Sequence, residues 1–433
     1  MVVERKDQIT VPWSRMTERM SEKLKEMPRI LEIFKDGMQN TWGTTIKRLE
    51  DSTTFVITGD IPAMWLRDSA AQVRPFLVLA GQDEDVADMI EGLVLRQLQY
   101  ITLDGYANAF NESPNGHGHQ DDDTDMSPWI WERKYEIDSL CYPLQLSYLL
   151  WKNTGRTSQF KGIFRESAEK ILELWKTEQN HEKDSSYRFQ RSGGAVTDTL
   201  TREGKGPETG YTGMTWSAFR PSDDACQYGY LVPSNMFAVV VLNYLAEIAR
   251  EVLKDKALEN RALELAAEID RGIQEYGVYD HPEYGRIYAY ETDGLGHYNL
   301  MDDANVPSLL SIPYLGYCSP DDPVYRNTRK FILSEANPYF YKGQAAEGIG
   351  SPHTPERYIW HIALAVQGLT AESRDEKERI LRLMSTTEAG TGLMHEGFHA
   401  DNPSEYTRPW FSWANMMFCE LAMDYCGLYV NRG

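Results

Sequence analysis

Connections between the helical segments of this chain tend to alternate between long and short along its length, and only a few architectures tolerate that. Apolar residues recur at helical spacing: Val86, Ile90, Leu93, Val94, Leu98 and Ile101 form one stripe, and Ala262, Leu265, Ala266, Ile269 and Ile273 another. Phe411, Ala414, Phe418, Leu421 and Tyr425 repeat the pattern, as do Met16, Met20, Leu24 and Met27 until Pro28 interrupts them. About twelve such segments lie near 14–42, 67–81, 84–103, 136–153, 161–179, 233–255, 257–275, 304–315, 324–334, 356–371, 374–387 and 407–427. Short connections fall at Gly81–Asp83, Thr154–Phe160, Lys256, Gly316–Val324 and Glu372–Ser373. Long ones cover 43–66, 104–135, 180–232, 276–303, 335–355 and 388–406. In an antiparallel run of helices, alternate connections emerge at opposite ends. The short loops then close one end and six long loops crowd the other. A ring of six helical hairpins, an (α/α)6 barrel with one functional face, satisfies this. The expectation is an all-α fold in which residues 1–433 form one domain. Strand signals are few; Arg286–Glu291 (RIYAYE) is the best and reads as a hairpin within a long loop.

Composition removes several classes of partner. The formal charge of −21 repels nucleic acid and anionic membrane surfaces, and no Lys/Arg cluster offsets it. No apolar run approaches the ~18 residues that span a bilayer. Glu4, Arg5, Lys6 and Asp7 stand where a signal peptide needs an apolar core, so the expected location is the cytoplasm. The five cysteines, Cys141, Cys226, Cys318, Cys419 and Cys426, are odd in number, lack CxxC spacing and read as reduced thiols. Cys419 and Cys426 fall on one helix face and read as core. The 11 Trp and 25 Tyr suit either stacking on sugar rings or a large aromatic core.

Each long connection carries a polar, aromatic-laced cluster. The first holds Gly59 to Ser69 (GDIPAMWLRDS), and the second Tyr106 to Phe110 (YANAF) and Trp131 to Asp138 (WERKYEID). The third ends Trp216 to Asp224 (WSAFRPSDD) and the fourth runs into Met301 to Pro307 (MDDANVP). The fifth holds Gly350 to Thr354 (GSPHT), the sixth Met394 to His399 (MHEGFH). Charged side chains, Trp and Arg at one mouth suit an oxygen-rich neutral substrate, whose hydroxyls they grip through charge-assisted hydrogen bonds. Cleaving an acetal requires one protonated carboxyl and one carboxylate. Asp223 and Asp224 adjoin, and a like charge nearby raises a carboxyl's pKa, as an acid requires, while Arg220 pushes the other way. Helix N-capping explains the same pair equally well, and explains Asp302-Asp303 too. Glu396 has no obvious lysine partner and suits a base.

A rival chemistry is written in the same loop. His395-Glu396-Gly397-Phe398-His399 matches H-E-x-x-H, a zinc-peptidase pattern, with Glu420 as a conceivable third ligand. That pattern needs a helix, whereas Gly390, Gly392, Gly397 and Pro403 mark a loop. His353 and His361 read as capping or core residues. His117, His119, Asp121, Asp122, Asp123 and Asp125 lack calcium-loop spacing and read as a solvated loop. No phosphate-binding or dinucleotide pattern follows a strand and no G-x-S-x-G elbow occurs, so nucleotide cofactors and that type of serine hydrolase have no support.

These motifs resemble glycoside hydrolase family 125, the bacterial and fungal exo-α-1,6-mannosidases. The resemblance is carried in order by GDIPAMWLRDS, YANAF, WERKYEIDSLCYP, TGMTWSAFRPSDD, YETDG, MDDANVPSLL, GSPHT and MHEGFH, over essentially the whole chain. It implies an (α/α)6 barrel, no metal or other cofactor, an inverting mechanism, and removal of terminal α-1,6-linked mannose from N-glycan-derived manno-oligosaccharides. It makes Asp223 the general acid and Glu396 the general base. Inversion then predicts carboxyl groups about 6.5–9.5 Å apart. Trp65, Arg67, Asp68, Asn108, Arg220, Asp302, Asp303, His353 and His395, placed at the mouth, are expected to grip the sugar. A mannose-binding protein on the same scaffold would lack an acid or a base; this chain carries both.

Overall fold

The computed structural model describes residues 11–433. The charged stretch Glu4–Asp7 lies outside the described residues. Twelve helices form two concentric rings. The outer ring comprises α1 (Pro28–Asn40), α3 (Glu84–Leu103), α5 (Ile163–Glu178), α7 (Lys256–Tyr276), α9 (Pro323–Ile332) and α11 (Arg374–Met384). The inner ring comprises α2 (Leu66–Val73), α4 (Ile137–Thr154), α6 (Val232–Ile248), α8 (Ile312–Leu315), α10 (His361–Leu369) and α12 (Ser412–Tyr425). Inner helices bury nearly every side chain: all eight residues of α2 are buried, and in α6 only Asn243, Tyr244 and Glu247 are not. Outer helices such as α11 keep one apolar stripe, here Ile380, Leu381 and Met384. Neighbouring inner helices pack in the order α8, α6, α4, α2, α12 and α10, so the first inner helix, α2, packs against the last, α12, as well as against α4.

Every long connection runs from an outer helix to the N-terminus of an inner one, and every short connection runs back. The alternation expected from sequence is therefore physical: six long loops share one face. The expected helix over 84–103 agrees to the residue with α3. Three expectations need correction. Segment 14–42 is two helices, Ser14–Lys23 and α1, parted at Pro28. Of 304–315 only α8 is helical, because the Asp302 carboxylate takes the Leu309 and Leu310 N–H groups (2.8 and 3.0 Å) before a helix can form. Residues 358–360 of the expected 356–371 helix form a strand.

Strands were underestimated as well. The RIYAYE segment does pair, Gly285–Tyr288 with Val278–His281, but its end, Glu291, joins another sheet. Three small antiparallel sheets each stitch two neighbouring long loops together. Met64–Trp65, Ala109–Phe110 and Ile130–Glu132 join the first and second loops. Tyr230–Leu231, Glu291–Thr292 and Tyr298–Asn299 join the third and fourth. Tyr358–Trp360 and Gly397–His399 join the fifth and sixth. Gly59 bridges Phe411 and links the sixth loop to the first; at φ +129° it sits so close that a Cβ would stand 2.6 Å from the Trp410 carbonyl oxygen. All five cysteines are unpaired, with Cys419 and Cys426 in the core as expected.

Candidate active site

Asp223 stands in a tight turn closed by Arg220 N–H to the Asp224 carbonyl (2.8 Å) and Asp223 N–H to the Arg220 carbonyl (2.9 Å). Its φ of +67° is left-handed, a conformation that aspartate tolerates better than most residues and that concentrates at functional sites. No helix starts at this turn; the next regular element is the strand Tyr230–Leu231. The capping reading of Asp223-Asp224 is thereby excluded. The Asp223 side chain is 28 % exposed at the floor of the mouth.

Arg67, 3 % exposed at the start of α2, is the hub beneath it. Its guanidinium meets four carboxyl groups: Asp68 (3.3 Å), Glu136 (2.5 Å), Asp138 (3.2 Å) and Asp223 (3.5 Å). Asn108 donates to Glu132 (3.0 Å) and Asp223 (3.5 Å), and Lys134 Nζ donates to the Asp223 carbonyl (2.7 Å) and to Asp198 (2.9 Å). Burial would raise the Asp223 carboxyl, but Arg67, Lys134 and a hydrogen bond from Glu136 hold it below the usual range. Burial raises Asp68 to about 6 against the pull of Arg67 and Arg408.

Asp224, next in sequence, turns away. Its Oδ1 lies 3.1 Å from His353 Nδ1, and its Oδ2 is buried without a partner. Although burial lowers it, that carboxylate raises His353 to about 9, so the imidazolium is charged at neutral pH. His353 also feels Asp223 and Glu396, and 35 % of its side chain is open to the mouth. The like-charge partner expected for Asp223 is therefore not Asp224 but Glu136, from the second loop.

Glu396 precedes the strand Gly397–His399 in the sixth loop. Its side chain is 8 % exposed, and Arg408 Nη1 lies 3.6 Å from its Oε1. Arg408 is itself fixed by Asp60 (2.5 Å) in the first loop. The third and sixth loops lead into α6 and α12, which are opposite members of the inner ring. Asp223 and Glu396 thus face the mouth from opposite sides.

The other expected residues divide. Trp65, Arg67, Asp68, Asn108 and His353 line or underlie the mouth, and the Trp65 Nε1–H is buried without a partner. Asp303 accepts Ser222 Oγ–H (2.7 Å), and its Oδ1 is likewise unpartnered. Arg220 is locked on Glu291 (2.6 Å), Asp302 pins the fourth loop, and His395 is buried and stacked on Tyr406 (3.7 Å). Those three brace loops. The buried Glu132, Lys134, Glu136, Asp138 and Glu291 and the half-buried Asp198 and Arg408 are charges that the sequence reading did not name as site residues. WERKYEID held a signal: four charged side chains directly ahead of an apolar helix.

Gly397–His399 of H-E-x-x-H pair as a strand and no part of the segment is helical, so its histidines do not share a helix face. His399 packs edge-on to Tyr358, and Glu420 is consumed by Arg74 (2.9 Å) and Tyr314 (2.8 Å). Among the described residues no three His, Cys, Asp or Glu are grouped as a metal ion requires. Asp122 is not solvated as expected: Arg191 holds it through two bonds (2.8 and 2.7 Å). No helix of the described residues is long and apolar enough to cross a membrane.

Residues 27–423 match a family model described as metal-independent α-mannosidase (GH125). A Streptococcus pneumoniae structure, described as a metal-independent α-mannosidase in a non-productive complex with α-1,6-mannobiose, is 52 % identical. It covers 96 % of this chain and 99 % of that one at a TM-score of 0.95. The meiotically up-regulated gene 157 protein of Schizosaccharomyces pombe (strain 972 / ATCC 24843) is 41 % identical over 95 % of this chain and 86 % of its own. A bacterial glucoamylase bound to acarbose shares only the fold, at 14 % identity and a TM-score of 0.57, over 85 % of this chain and 49 % of that one.

Proposed function

The chain belongs to the metal-independent α-mannosidases of glycoside hydrolase family 125, and on that premise we propose that it is an inverting exo-enzyme removing terminal α-1,6-linked mannose from N-glycan-derived manno-oligosaccharides. The observation that carries this reading is the placement of Asp223 and Glu396 across the mouth from one another, on the third and sixth loops. Asp223 protonates the glycosidic oxygen as the C–O bond breaks. Glu396 takes a proton from water on the opposite ring face as that water attacks the anomeric carbon. Inversion requires the two carboxyl groups to stand about 6.5–9.5 Å apart, so that the water fits between Glu396 and the sugar. The mouth's open polar side chains, Asp223 at 28 % and His353 at 35 % exposure, are the groups that a sugar entering it would meet first. The α-1,6 linkage and the glycan source are supported by the mannobiose complex and the N-linked-glycan context of the pneumococcal relative. One catalytic domain and a cytoplasmic location complete the proposal.

Asp223→Ala and Glu396→Gln test it. Each should lower kcat on α-1,6-mannobiose by about 10²–10⁴-fold while leaving the melting temperature near that of the wild type. Turnover close to wild type in either variant would remove that residue from the mechanism.

A further inference from the structure

Four carboxyl groups crowd one guanidinium beneath the site. Arg67 reaches Asp68, Glu136, Asp138 and Asp223 within 3.5 Å, and Asp68, Glu136 and Asp138 have side chains at most 6 % exposed. Of the four, Asp223 also has Lys134 and His353 and Asp68 has Arg408, which leaves Glu136 and Asp138 on Arg67 alone; crowding of like charges on that buried guanidinium favours retention of a proton. Its location can be read from the bonds. Glu136 Oε2 accepts Arg67 Nη1–H (2.5 Å) and Ser139 Oγ–H (2.8 Å), and is fully occupied as an acceptor. Glu136 Oε1 is buried with no donor near it. A bare carboxylate oxygen there would be orphaned, whereas a protonated one has a neighbouring carboxylate to turn to, since Glu136 and Asp223 sit on the two terminal nitrogens of the same guanidinium (2.5 and 3.5 Å).

We propose that Glu136 stores the proton that Asp223 delivers, as one carboxyl pair sharing a single hydrogen. The proposal rests on Asp223 being the general acid. In the resting pair the proton sits on Glu136 Oε1 and bridges to ionised Asp223. As the glycosidic bond breaks, its electron pair passes to the leaving oxygen. The single proton of the pair passes from Glu136 to Asp223 and from Asp223 to that oxygen, which leaves both carboxyl groups ionised. Glu396 ends the turnover carrying the proton lost by water. It returns that proton to solvent, and the pair draws one back. Burial raises Glu136 well above the carboxylate range, opposed by Arg67 and reinforced by Asp223 and Asp138. Arg67, Lys134 and His353 face Asp223, and Cys226 lies close by as a neutral thiol. The arrangement answers a difficulty: an acid held low by Arg67, Lys134 and His353 would be empty at neutral pH without a reservoir beside it. Glu136 acts through Asp223 and is a positioning residue.

The test compares Glu136→Gln and Asp223→Asn on α-1,6-mannobiose and on α-mannosyl fluoride, whose leaving group needs little protonation. Glu136→Gln should lower kcat on mannobiose at pH 7 by about 10²-fold with KM nearly unchanged. It should move the alkaline limb of the pH profile to lower pH and lose far less activity on the fluoride. Equal losses on both substrates, or an unmoved alkaline limb, would overturn the proposal. In the wild type, which needs no variant to fold, the alkaline limb on mannobiose should lie well above the ordinary aspartate value of about 3.9; a limb at that value would also overturn it. Should Asp223→Asn lose the two substrates equally, the assignment of Asp223 as the acid fails instead.

Discussion

At the scale of single residues, the site is built from charges whose partners come from other loops. His353 illustrates this and has a measurable consequence. Its folded-state pKa of about 9 exceeds the unfolded value of about 6.5. Its contribution to stability is therefore fully present below about pH 6.5 and disappears as pH rises through 9. His361, buried at the start of α10, is lowered by burial to about 3, so its contribution is complete above about pH 6.5 and is lost as pH falls toward 3. Thermal melts across pH should therefore show stability declining in both directions, and His353→Gln should flatten the alkaline decline. An unchanged alkaline slope in that variant would contradict the ion pair with Asp224. Residue types at the mouth were legible in the sequence: Asp223 and Glu396 stood out, and both face the site. Their partners were not legible. Arg67 meets Glu136 across 69 positions and His353 meets Asp224 across 129, and no local pattern encodes such a meeting.

At the scale of elements, helices were legible and strands were not, for a physical reason. A helix of ten or more residues repeats its apolar stripe several times, so α3 and α7 announce themselves. The loop strands are two to four residues long, too short for alternation to register. They nevertheless place the chemistry, because pairing Tyr358–Trp360 with Gly397–His399 sets Glu396 at the mouth. Helix expectations failed where tertiary bonds outcompeted local ones, as when Asp302 takes the Leu309 and Leu310 amides. Gly350 tests the stitching. It bridges Ile359, and a Cβ there would stand 2.1 Å from the Tyr358 carbonyl oxygen and 2.6 Å from the Tyr341 ring. Gly350→Ala must displace backbone, so it should cost about 1–3 kcal/mol of stability and raise KM through the shifted His353. A variant with wild-type melting temperature and KM would show that the bridge is dispensable.

At the scale of the whole molecule, the alternation of loops, an arithmetic property of the chain, becomes a ring with all its long loops on one face. The ring is tied internally by buried charge. Arg74, just past α2, bonds Glu420 of α12 and Gln145 of α4 (3.2 Å), while Tyr314 of α8 donates to the same glutamate. Four of the six inner helices thus share one polar knot. Glu420→Ala would leave Arg74 buried and unpaired, and should cost about 3–5 kcal/mol, with no change in the protein's response to chelators. Stability equal to wild type would contradict the knot. That role also explains why the H-E-x-x-H match misled: Glu420 is spaced as a third zinc ligand would be, but is bound inside the barrel.

The most direct test of the central claim is proton NMR of α-1,6-mannobiose mixed with the protein in EDTA, recorded early enough to see the first anomer. Release of β-mannose establishes the linkage, the inversion and the independence from metal in one spectrum. Release of α-mannose first would contradict inversion with Glu396 as base, and no release until metal is added back would contradict metal-independent chemistry.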